Sequence, residues 1–218
     1  DADVKSLSGG AGMLVLEQDG WIHTLDPQSR ATQRLDITAT GDFPWAEARW
    51  RDVSGFIQSA SLSHTGKRAL IGARGEIFTV PTDKGDPRNL TRSSGAYDHT
   101  PVWSPDGTEI AWFSNEGDGY VLKIGPQDGL SEPRTLSIGD SKMAVAPSWS
   151  PDGSQIAFSS NRSDVYQIYV MKADGSDVTR VVASPYTDVR PQWSPDGKRI
   201  VFNREREGSS DIYVVELD

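Results

Sequence analysis

The chain has 218 residues, a formal net charge of −9 and no cysteine. Disulfide staples, thiolate catalysis and Cys-ligated zinc are therefore excluded, and the acidic balance argues against nucleic acid, whose binding needs clustered Lys and Arg to displace counterions. Hydrophobic residues make up 36%, including seven Trp, six Tyr and six Phe, which is enough to build a core, and no apolar run approaches the roughly 18 residues of a membrane span.

In chain order, the first element is a strand at 4–7, where Leu7-Ser8-Gly9-Gly10 is followed seven residues on by Leu14. A β-rich unit of about 1–40 results, with His23 on its third strand. The segment 41–56 interrupts the pattern and holds Phe43, Trp45, Trp50 and Arg51. Aromatics with Arg are interface-like, so this loop is expected either to reach a partner or to fold back over the seam between repeats. A second unit, about 57–93, carries Leu62-Ser63-His64-Thr65-Gly66. The string then becomes regular. Pro101-Val102-Trp103-Ser104-Pro105-Asp106-Gly107, Pro147-Ser148-Trp149-Ser150-Pro151-Asp152-Gly153 and Pro191-Gln192-Trp193-Ser194-Pro195-Asp196-Gly197 open units at about 94–139, 140–184 and 185–218.

From Leu7 through Leu62, Trp103 and Trp149 to Trp193 the steps are 55, 41, 46 and 44 residues. Apart from the first, which contains the 41–56 insertion, they match the period of about 40–45 for four-stranded propeller blades. Pro presets φ and Gly accepts the positive φ that follows, so each Pro-Asp-Gly is a turn between strands A and B. No stretch has helical periodicity. The expected fold is an all-β propeller of five blades over 1–218, the last blade stopping after strand C at 211–216. The repeat Trp residues and Trp112, which aligns with Phe158 and Phe202, are expected in the core.

The Trp-Ser-Pro-Asp-Gly units, with Ile-Ala-Phe-Ser-Ser-Asn-Arg and Ile-Tyr-Val-Met after them, resemble the WD40-like repeats of TolB-type propellers over 94–218. Residues 1–125 resemble tricorn-type peptidases, through Gly41-Asp42-Phe43-Pro44-Trp45, Gly55-Phe56-Ile57 and Ala73-Arg74-Gly75-Glu76-Ile77-Phe78. The chain thus starts like one family and ends like the other. Nothing in it resembles the peptidase's catalytic or PDZ-like domains, so the resemblance carries over no catalytic residue. It implies either TolB-like partner docking or the substrate-guiding role of a peptidase propeller, and a bacterial-type periplasmic or secreted setting is favoured.

Enzyme motifs are missing: no Gly-x-Ser-x-Gly, no His-Glu-x-x-His, no phosphate loop, no EF-hand loop. No catalytic residue, metal ligand or cofactor is expected. Candidate binding residues come from the face where D–A and B–C connections open. There Asp98 and Asp188 precede the strand-A Pro by three residues, with Ala144 at the same place in the fourth unit. They either accept backbone N–H bonds that tie adjacent blades or form a polar ring at the channel mouth. His99, Arg190 and the B–C residues Asn161 and Arg162 join them, with Trp45, Trp50 and Arg51 from the insertion. A non-enzymatic scaffold for protein or peptide partners is expected. The alternatives are a hydrolase with carboxylates converging at the mouth, as glycosidases require, and a small-molecule or sugar binder. The open edge of the last blade, apolar at Ile212-Tyr213-Val214-Val215, is expected either to recruit a second copy or to leave a ring held by blade-face packing alone, with a low-stability seam at the first and last blades.

Overall fold

A hydroxyl and a carboxylate two residues apart decide how each repeat string folds. In the computed structural model, which describes residues 4–10, 12–18, 21–36, 52, 54–93, 95–116, 119–139 and 143–217, Ser104, Ser150 and Ser194 donate to Asp106, Asp152 and Asp196 over 2.6, 2.6 and 2.5 Å. Each Asp then accepts the N–H two residues on, from Thr108, Ser154 or Lys198. Each Ser oxygen accepts the N–H that opens the next strand, from Glu109, Gln155 or Arg199. The turn needs a positive φ at its last position, supplied by Gly107, Gly153 and Gly197 at 72°, 73° and 71°, a conformation that costs glycine little. Ser63-His64-Thr65-Gly66 makes the same turn with Thr65 in place of Asp.

The chain divides into two compact units, Asp1–Trp50 and Arg51–Asp218. In the first, β1 (Val4–Gly10), β2 (Met13–Gln18), β3 (Trp21–Leu25) and β4 (Thr32–Leu35) form one antiparallel sheet in chain order. In the second, a 3-10 turn at Ser54–Phe56 leads to a second sheet of β5 (Ile57–Leu62), β6 (Arg68–Ala73), β7 (Glu76–Pro81) and β8 (Arg88–Asn89). The third sheet is β9 (Asp98–Trp103), β10 (Glu109–Ser114), β11 (Val121–Pro126) and β12 (Arg134–Ser137). The fourth is β13 (Ala144–Trp149), β14 (Gln155–Ser163), β15 (Val165–Lys172) and β16 (Thr179–Arg180). The fifth is β17 (Thr187–Trp193), β18 (Arg199–Arg206) and β19 (Ser209–Glu216). These antiparallel sheets of four, four, four, four and three strands are the blades of a β-propeller, and the described residues contain no α-helix.

The cores of the second unit lie between sheet faces. Leu70, Ile77, Ile110 and Trp112 are buried between the second and third sheets, with Trp103 packed on them. Phe113, Leu122, Ile156, Phe158 and Met171 fill the space between the third and fourth, with Trp149 alongside. Ile168, Ile200 and Phe202 do so between the fourth and fifth, with Trp193. The repeat Trp residues are thus anchors between blades, half-buried rather than sealed.

Strand A of the third, fourth and fifth sheets carries a bulge at one shared position. Thr100, Ala146 and Arg190 sit there at φ of 48°, 54° and 58°, a region that side-chain-bearing residues rarely occupy. Each precedes a proline, which has no N–H for the ladder and is accommodated at bulges and edges. Strand A is an edge of its own sheet, and the bulge and proline blunt it against foreign strands.

Candidate functional site

Each of these sheets pairs the start of strand A with the end of strand B, and that end of the blade collects the chemistry. In the fifth sheet Asp188 lies opposite Arg204. Its fully buried carboxylate accepts from the Arg204 guanidinium at 2.7 and 3.1 Å and from the Ser184 hydroxyl at 2.7 Å. The pair holds the Arg204 pKa above its usual value, chiefly through the hydrogen bond. The guanidinium also lies 4.4 Å above the Tyr213 ring. In the fourth sheet Ala144 lies opposite Ser160 and supplies no carboxylate. Arg162 nevertheless covers Tyr169 at 4.3 Å, and its guanidinium bonds the carbonyl of Ile138 and the hydroxyl of Ser160. In the third sheet Asp98 lies opposite Ser114. Its buried carboxylate accepts from the Ser93 hydroxyl and from the Trp112 indole at 3.1 Å.

His99 points to the other face of the third sheet, between Tyr97 and Tyr120, each 5.4 Å away between ring centres. Its Nδ1 meets the Thr100 hydroxyl at 3.2 Å, and its buried Nε2 has no partner among the described residues. Burial pushes the imidazole from its ordinary 6.5 to about 4, against the pull of Asp98. Tyr97 bonds Gln58 through its hydroxyl. Burial, then Tyr97, raises the Tyr120 pKa, and burial, then Tyr120, raises that of Tyr166. Tyr97 and Tyr120 flanking His99, and Tyr166 near the start of β15, make a run of tyrosines at this end of the third and fourth sheets. Arg190, exposed, follows in strand A of the fifth, its backbone N–H bonded to Ser159 of the fourth sheet.

Several expectations change. Asn161 and Arg162 are not in a loop: β14 runs on through them, because Asp164 at φ 72° allows a tight hairpin. Asp98 and Asp188 are strand residues rather than loop residues, and their donors are side chains, not backbone N–H groups. Asn161 accepts from the Met143 N–H and joins the D–A connection to the B–C hairpin. Trp45, Trp50 and Arg51 lie outside the described residues. The run of tyrosines was not picked out from sequence. Its signal was present in Tyr97-Asp98 and Tyr186-Thr187-Asp188, where a Tyr precedes each buried Asp. Among the described residues no three His, Cys, Asp or Glu side chains gather to hold a metal, and no helix is long and apolar enough to cross a membrane.

A family model described as the TolB beta propeller domain matches residues 76–218. Dipeptidyl-peptidase 5 of Porphyromonas gingivalis is 32% identical over 80 residues, which are 35% of this chain and 12% of that protein. The same-named protein of Porphyromonas endodontalis is 38% identical over 64 residues, 29% of this chain and 9% of its own length. The chain thus spans a small part of the curated relatives it matches. Among solved structures, an Agrobacterium tumefaciens protein described as a TolB superposes with a TM-score of 0.63 at 22% identity, over 99% of this chain and 78% of that one. The tricorn protease superposes at 0.51 with 12% identity, over 100% of this chain and 27% of its own. These likenesses establish the fold, and the match over 76–218 establishes that the chain belongs to the TolB β-propeller domain family.

Proposed function

We propose that this propeller is a scaffold that binds a protein or peptide partner at the end of the blades where strands A begin and B–C hairpins turn. The observation that carries the reading is that Tyr97, Tyr120, Tyr166 and Tyr186 and Arg162, Arg204 and Arg206 stand at that end of their strands, Arg204 and Arg206 lying over the Tyr186 ring, with exposed Arg190 at the bulge of β17. Tyr and Arg are the residue types that anchor interfaces, since each combines a large contact surface with a polar tip. Asp98, His99, Asn161 and Asp188 hold that end in shape, and the aromatic and basic residues Trp45, Trp50 and Arg51 are further candidates on sequence grounds. The test is selection of binding peptides from a random displayed library. Selected peptides lose affinity for Arg190→Glu or Trp45→Ala and keep it for Lys198→Glu and Ser154→Ala, whose turns lie at the opposite end. Equal losses in both sets overturn the reading.

A second reading rests on β19. Among the described residues this strand pairs with β18 alone, and Ile212 and Val214 are 75% and 60% exposed. Its free edge takes a second copy of the chain.

A further inference from the structure

The three seams between successive sheets of the second unit differ in one respect. Between the fourth and fifth sheets a buried carboxylate, Asp188, is matched by a resident guanidinium, Arg204. Between the third and fourth there is a resident guanidinium, Arg162, and alanine at the carboxylate position. Between the second and third the carboxylate is present, in Asp98, but the residue opposite it is Ser114. Glu116 stands where Arg162 stands one repeat later. Asp98 is 2% exposed and makes no ion pair among the described residues; its donors are the neutral Ser93 and Trp112. The Ser114 hydroxyl is buried without a partner among the described residues. Carboxylates that deep are normally paired with a cation.

The same seam holds a cavity of about 340 Å³, lined by Asp98, Trp112, Thr91, Ser93 and Glu132 among others. That volume falls in the range of small-ligand sites. Lys123 and Arg92 also line it, but the Lys123 ammonium is ion-paired with Glu116 and Arg92 is exposed. Trp112 offers an indole ring to a planar cation, as Tyr213 does to Arg204.

We propose that this seam receives an arginine side chain from a bound peptide, its guanidinium taking at Asp98 the place that Arg204 takes at Asp188. The proposal deepens the partner-binding reading and rests on it. A guanidinium suits the site better than an ammonium, because its flat fork matches both carboxylate oxygens while stacking on the indole.

The probe is an acetylated and amidated Gly-Arg-Gly peptide, with the citrulline counterpart as the neutral isostere. The reporter is the Trp112 indole N–H resonance, assigned with Trp112→Phe, since that N–H bonds Asp98. The arginine peptide shifts it saturably and the citrulline peptide does not. Asp98→Asn weakens the arginine peptide about tenfold or more, as loss of one member of a desolvated charge pair does. Ser114→Arg, which supplies the guanidinium from within, abolishes the response and raises the melting temperature. No saturable shift, an equal shift with citrulline, or a response that survives Ser114→Arg overturns the proposal. Library-selected peptides that lack arginine yet depend on Arg190 would leave the partner-binding reading standing while this one falls.

Discussion

Trp193 donates its indole N–H to the carbonyl of Ser148, 3.0 Å away, so the last strand A is bonded to the strand A of the sheet before it. Trp103 and Trp149 occupy the same repeat position, but their indole nitrogens are buried without partners among the described residues. The three residues therefore sit at equivalent seams but differ in hydrogen bonding.

Trp149→Ala is expected to cost about 2–4 kcal/mol in denaturant melts, toward the lower part of the range for truncating a large aromatic because the ring is half-buried. Trp193→Phe should cost about 1 kcal/mol more than Trp149→Phe, the net worth of the lost hydrogen bond. Equal costs for the two Phe variants would mean that the Trp193–Ser148 bond adds nothing in solution.

Arg204→Met leaves the Asp188 carboxylate buried with one hydroxyl donor. It should destabilise by about 3–5 kcal/mol, the range for stripping one partner from a buried pair. Adding Asp188→Asn removes the stranded charge and should recover part of that loss. A double variant no more stable than Arg204→Met would contradict the pairing, and chemical denaturation of the full cycle measures it.

The strand pattern was legible because it is written in local chemistry. Ser-Pro-Asp-Gly fixes a turn by bonds among four consecutive residues, and the Ile seven residues after each Trp follows from strand alternation. The ends of the blades were less legible. Asp188 and Arg204 are 16 positions apart, and their meeting depends on a bulge at Arg190 that shifts the register. Asn161 and Arg162 read as loop residues, yet positive φ at Asp164 lets the hairpin continue through them. The side-chain bonds of Asp98 could not be read either, since Trp112 reaches it only once the register is known.

His99 predicts a pH dependence. Its folded pKa, about 4, lies below the ordinary 6.5. The unfolded chain thus takes up a proton between these values that the folded chain refuses. The stability linked to neutral His99 is complete above pH 6.5 and is lost as pH falls toward 4. The slope should approach one proton in that window and vanish in His99→Phe. An NMR titration of His99 with a midpoint near 6.5 would count against the buried placement between Tyr97 and Tyr120.

Below that window the turn carboxylates Asp106, Asp152 and Asp196 take over, each held below the usual range first by the hydroxyl of the Ser two residues before it. Hydrogen bonds from the Ser150 and Ser154 hydroxyls, then the Ser154 N–H, pull the Asp152 carboxyl from 3.8 to about 2. This pKa is depressed, so its contribution is present above about pH 4 and is lost as pH falls toward 2. Asp152→Asn should flatten the acid limb of the stability curve there while leaving the His99 window unchanged. An acid limb identical to that of the parent would show that the turn bonds do not distinguish carboxylate from amide.

The free edge of β19 carries the last prediction. All eight of its residues pair with β18, Ser209 with Arg206 through to Glu216 with Arg199. In an antiparallel ladder alternate residues turn their N–H and C=O groups toward the partner strand and the others turn them away. Amide exchange in β19 should therefore alternate along the strand at low concentration instead of being uniformly fast. Ile212 and Val214 share one face and are exposed, whereas Tyr213 and Val215 on the other face are half-buried. An unpaired edge beside exposed apolar side chains templates another strand. Raising the protein concentration should slow exchange of the outward-facing amides and raise the sedimentation coefficient together. Ile212→Lys with Val214→Lys should abolish both changes without lowering the melting temperature, because neither side chain is in the core. A parent protein whose outward-facing β19 amides exchange at the same rate at every concentration would show that this edge does not recruit a second copy.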